Sequence, residues 1–70
     1  MAHREGETIR ATVEEALPNL LFRVKLETGE ETLAYLAGKM RLHRIRVLVG
    51  DTVEVLPEPY GGRPRIVRRL

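Results

Sequence analysis

Lys39, Arg41, Arg44 and Arg46 place four fixed positive charges within eight positions, with His43 among them. Arginine offers a planar fork of donors and lysine a compact point charge. Both suit phosphate, which they neutralise while releasing its counterions. Met40, Leu42 and Ile45 interleave with these charges, and they are expected to pin the segment onto a core. A segment anchored this way presents a binding surface. Without anchors the same charges would form a solvated loop, as charge runs usually do. The elements around the segment decide between the two.

Other chemistry has little to work with. The chain has no Ser, Cys or Trp, so serine and cysteine nucleophiles are absent. Its two histidines, His3 and His43, lie forty residues apart, and nothing supplies the three or four convergent ligands of a zinc site. Glu14-Glu15 and Glu30-Glu31 resemble paired carboxylates, but neighbouring strand residues point to opposite faces and cannot converge on a substrate. Gly38-Lys39 is not a phosphate loop, because Leu33 stands where the partner glycine would be and Met40 where the Ser/Thr would be. No enzyme, cofactor or metal is expected.

Nucleic acid fits better. The net charge of +2 divides unevenly: residues 1–37 carry −3 and residues 38–70 carry +5. Such a division suggests one face toward a polyanion and an opposite face that limits non-specific adhesion. Binders of unstructured single strands stack bases on several aromatic platforms, whereas this chain has one Phe and two Tyr. Phe22 alternates with Val24 and Leu26 and belongs in a core, and Tyr60 sits in a loop between Pro59 and Gly61. Tyr35 is left as the stacking candidate. This composition favours recognition of shaped RNA through phosphate and ribose over a cold-shock-like RNA chaperone, which remains the alternative. A protein-docking barrel is the other rival and would need an exposed apolar patch, for which Leu33, Leu42 and Leu48 are the candidates.

Seventy residues make one small domain, which buries only about 60% of its unfolded surface. No disulfide can supplement that burial. The first residues carry no apolar stretch of the signal-peptide kind, and no window approaches the eighteen or so apolar residues of a membrane span. The expectation is a soluble, cytoplasmic chain with a flexible segment at residues 1–6 and a single domain at residues 7–70.

Taken in order, Thr8–Val13 alternates apolar and polar residues, the pattern of a half-buried strand, and Pro18-Asn19 punctuates the chain after it. Leu20–Leu26 repeats the alternation. Glu27-Thr28-Gly29-Glu30 reads as a hairpin turn, with Gly29 supplying positive φ. Glu31–Leu36 is a third strand with Ala34 and Leu36 inward and Tyr35 outward. Gly38 breaks the strand, and Lys39–His43 forms one short helical turn without a cap residue. Ile45–Val49 is extended, Thr52–Leu56 is a fourth strand and Arg65–Leu70 a fifth, after a Pro- and Gly-rich loop. The expected core is Ile9, Val13, Phe22, Val24, Leu26, Ala34, Leu36, Val53, Val55 and Ile66. Five short strands with an insert between the third and fourth predict an all-β, five-stranded antiparallel Greek-key barrel of the OB-fold type. Closure removes the edges that a small sheet could not otherwise hide. An SH3-like barrel is second on pattern alone.

The motifs Leu17-Pro18-Asn19, Phe22-Arg23-Val24, Gly38-Lys39-Met40-Arg41, Ile45-Arg46-Val47-Leu48-Val49-Gly50-Asp51 and Pro59-Tyr60 occur in an order that resembles bacterial translation initiation factor one, over about residues 8–69. The resemblance implies an OB-fold factor in the decoding (A) site of the small ribosomal subunit. There it would block premature tRNA entry and assist initiator-tRNA selection with the other initiation factors. It implies that the Lys39-Met40-Arg41 loop enters the decoding-site helix and displaces its paired adenines. His43, Arg44, Arg46, Tyr35, Arg63, Arg65 and Arg68 would complete the RNA-facing set, and a neighbouring small-subunit protein would contact the flank. It further implies a free monomer with no membrane partner. The sequence departs from the family at three places. Arg44 stands where the family has an aromatic residue, the Gly61-Gly62-Arg63-Pro64 loop is shorter, and Pro64 replaces a glycine.

Overall fold

The structure is a computed structural model that describes residues 7–58 and 61–70. The expected flexible segment at residues 1–6, and the reading of Tyr60 as a loop anchor, lie outside the described residues. Among the described residues, five strands, β1 (Ile9–Leu17), β2 (Leu21–Leu26), β3 (Glu31–Leu36), β4 (Thr52–Leu56) and β5 (Arg65–Arg69), surround one core, and a short α-helix α1 (Gly38–Leu42) lies between β3 and β4. The strand order β1-β2-β3-β5-β4 closes on itself. Neighbours are antiparallel except β3 and β5, which run parallel. This is the OB-fold plan.

Closure depends on β1. Its first half pairs with β4 (Ile9 opposite Val55, Ala11 opposite Val53), and it pairs with β2 from Ala11 opposite Leu26 to Leu17 opposite Leu21. Between these partners the register shifts at Val13–Glu15. A bulge there bends the strand, as closure of so small a sheet requires. Glu15 falls on the inward row after Val13, and its charge is why the sequence pattern ends the strand at Val13 while the structure continues it to Leu17.

The β2–β3 turn is as expected. Leu26 N–H donates to the Glu30 carbonyl at 2.8 Å, Gly29 N–H to the Leu26 carbonyl at 2.8 Å, and Gly29 has φ +96°. Nine of the ten expected core residues are buried, and Leu26 is half-buried at the barrel end. Ala11, Ala37, Met40 and Val47 join them. Ala11 is a small inward residue of β1, and Ala37 is buried at the start of α1. Met40 and Val47 come from the insert and seal the end of the barrel.

Residues 45–49 lie outside the five strands, as expected. Leu48 opens a turn to Asp51, braced on β1 by Val13 N–H to the Asp51 carbonyl at 2.9 Å and Gly50 N–H to the Val13 carbonyl at 2.8 Å. The insert departs from expectation in its anchors, since Leu42 is 77% exposed and Ile45 38%, so neither is a core residue. Met40, at 1% exposure, and Val47 pin the segment. With one helical turn and no flanking strand, the chain has no second chance to turn Leu42 inward.

Candidate nucleic-acid interface

Helix α1 begins without a side-chain cap, as expected, and Ala37 occupies the cap position. Its C-terminus is fixed by backbone. Ile45 N–H donates to the Met40 carbonyl at 3.0 Å and Arg44 N–H to the Arg41 carbonyl at 3.1 Å. These two bonds define a Schellman motif, with Arg44 at the left-handed position that glycine usually holds. Arg44 has φ +54°. The motif fixes where each side chain goes: Met40 inward, with Lys39, Arg41, His43, Arg44 and Arg46 exposed.

Two grooves share Met40 and Ile45 in their lining. One, of about 350 Å³, lies between the β1–β2 connection and α1; Leu20, Phe22, Leu36, Met40 and Val47 line it with Arg41, Arg44 and Arg46. The other, of about 520 Å³, lies between α1 and β5 and brings together Lys39, His43, Arg68 and Arg69 over Met40, Ile45 and Val67. Apolar floors with cationic rims suit a ligand whose phosphates meet the rim while its sugars and bases meet the floor.

The expected site residues fall into three groups. Lys39, Arg41, His43, Arg44, Arg46 and Arg68 converge on the two grooves. Tyr35, Arg63 and Arg65 line neither: Tyr35 and Arg65 are half-buried neighbours in the β3–β5 pairing, and Arg63 is exposed in the preceding loop. Met40 stands apart. It borders both grooves, and its side chain is buried under the segment, in keeping with its expected part in pinning it.

Arg69 was absent from the expected set. Its Nη1 donates to the Arg46 carbonyl at 3.0 Å, tying the basic loop to β5. A C-terminal run of arginines hides this role in the sequence, since nothing distinguishes a brace from one more surface charge. Arg68 Nε lies 3.7 Å from a Glu54 carboxylate oxygen with most of its side chain in solvent, so its charge is only loosely compensated. Across the barrel, Arg23 is paired with Glu15 on the facing strand. Among the described residues no group of His, Cys, Asp or Glu could hold a metal ion, and no helix is long and apolar enough to cross a membrane.

The family model described as translation initiation factor 1A / IF-1 matches residues 1–70. The chain belongs to this family. Membership makes it a translation initiation factor, a non-enzymatic class, and agrees with the closed barrel. The chain is similar to the solution structure of translation initiation factor one from the Wolbachia endosymbiont strain TRS of Brugia malayi. That match has 36% identity and a TM-score of 0.77, and covers 91% of this chain and 77% of the other. It is also similar to the crystal structure of YjeQ from Thermotoga maritima, at 35% identity and a TM-score of 0.77 over 91% of this chain. The chain spans only 23% of that protein's length, so the likeness is to one part of a larger molecule.

Proposed function

We propose that this initiation factor binds the decoding site of the small ribosomal subunit, with the α1 end against ribosomal RNA, and there assists initiator-tRNA selection with the other initiation factors. The observation that carries this reading is the braced cationic end itself. Lys39, Arg41, Arg44 and Arg46 are exposed on a segment held by Met40 and Val47 in the core and by the Arg69–Arg46 hydrogen bond. Charges on a fixed backbone select a shaped polyanion, because little side-chain and loop ordering remains to oppose binding. In this reading a small-subunit protein contacts the flank of the barrel, and the factor acts as a cytoplasmic monomer without cofactor or metal.

Scarce aromatic exposure among the described residues supports shaped RNA over unstructured strands: Phe22 is buried and Tyr35 half-buried. The test compares binding of the purified chain to isolated small subunits and to an unstructured RNA of similar charge. Tighter, saturable binding to the subunit, displaced by a tRNA directed to the decoding site, is expected. Equal affinity for the unstructured RNA would favour the RNA-chaperone alternative and overturn this one.

A further inference from the structure

Among the described residues, the non-glycine residues with positive φ are Asn19 (+64°), Leu20 (+59°) and Arg44 (+54°). Each belongs to a turn with a strong residue preference. Leu21 N–H donates to the Pro18 carbonyl, and Asn19 and Leu20 between them are both left-handed. This is the pattern of a type I′ turn, in which asparagine suits the first central position and glycine the second. The chain puts Leu20 in the second. Arg44 occupies the other glycine position, at the end of α1. Left-handed backbone is costly for a side chain with a Cβ.

Leu20 and Arg44 come from different connections, yet both line the cleft floored by Phe22 and Met40. Leu20 stays substantially exposed, so burial in the free protein does not explain it. Arg44 is exposed as well. Strain of this kind persists where a side chain is needed at a fixed place.

We propose that Leu20 and Arg44 are the specificity-determining jaws of this cleft, kept in left-handed backbone at the expense of fold stability. Arg44 grips a backbone phosphate of the RNA strand that crosses the cleft, and Leu20 closes over the sugar of that strand. The inference rests on the reading of the α1 end as an RNA face. It adds that two side chains there oppose folding and favour binding.

The experiment measures thermal midpoints and affinity for isolated small subunits, at several salt concentrations, for the full chain and three variants. Arg44→Gly should raise the midpoint by about 2–5 °C, since relieving left-handed strain outweighs the added freedom of the unfolded chain. It should also weaken binding about tenfold or more, with a salt slope shallower by about 0.7–0.9, the share of one phosphate. Leu20→Gly should raise the midpoint similarly and weaken binding about 3- to 10-fold with the slope unchanged. Arg44→Lys, which keeps both strain and charge, should leave midpoint and slope unchanged and lose affinity through the missing fork. Wild-type affinity in Arg44→Gly, or lowered midpoints in both glycine variants, would overturn the jaw assignment alone. A wild-type chain that does not bind small subunits would overturn the functional reading and this one with it.

Discussion

The β1–β2–β3 side of the barrel and the α1 end follow opposite rules. On the first, apolar and polar residues alternate, Arg23 is matched by Glu15 across the strands, and the β2–β3 turn that needs positive φ uses Gly29. At the α1 end, four cations crowd one short segment. One is braced from behind by a fifth, Arg69, and left-handed backbone carries Arg44 and, in the β1–β2 connection that faces it, Leu20. Local preference and global fold agree on the first side and conflict at the second. Such conflicts gather where a protein's function demands something its fold does not. The difference therefore marks the α1 end as the candidate interface.

Met40 joins the two regions, and removing it should break the comparison most severely. Met40→Ala empties a fully buried position at the end of the barrel, which should cost about 2–5 kcal/mol of stability, read by urea denaturation. Because Met40 also floors both grooves, subunit binding should fall even at temperatures where the variant is folded.

Arg69→Ala is a sharper probe of the α1 end. It removes an exposed brace, and a stability loss of about 1 kcal/mol is expected. Hydrogen exchange should accelerate in residues 43–49 while β2 and β3 stay protected. Uniform exchange changes would mean that the brace holds nothing in particular.

The smallest effect belongs to the other side. Arg23→Ala breaks an ion pair between half-exposed groups, so stability should change by only about 0.2–1 kcal/mol. Subunit binding should stay within twofold. A large loss of binding would extend the interface onto β2 and weaken the contrast between the two regions.

The same contrast governs what the sequence reveals. β2 and β4 are legible from alternation because each keeps one phase throughout. The end of β1 is not, because a charged residue, Glu15, holds the next position of the inward row. In the insert, Met40, Leu42, Ile45 and Val47 all look like anchors, and period cannot separate Met40 and Val47 from their exposed neighbours. One helical turn is too short to establish a face. The cationic residues of the candidate interface are nonetheless visible as a cluster, since charge does not depend on register. Arg69 as a brace and Arg44 as a left-handed cap are invisible, because each occupies a role usually filled by another residue type or by none.

Charge should act through its place at the α1 end, and one paired measurement tests that claim. Lys39→Ala/Arg41→Ala and Arg10→Ala/Lys25→Ala remove the same charge from opposite regions, all from exposed positions. Each should leave the barrel folded, with a stability change of about 0.5 kcal/mol or less per site. For the wild-type chain, log K for small subunits should fall against log salt with a slope of about −4 to −6, if roughly five to seven phosphates are neutralised. The first double variant should weaken binding by roughly 2–4 kcal/mol, at about 1.5–3 per charge-assisted contact with incomplete additivity. Its slope should be shallower by about 1.5. The second should leave both affinity and slope close to wild type. Equal losses in the two double variants would contradict the claim, leaving a barrel that adheres to RNA through net charge alone.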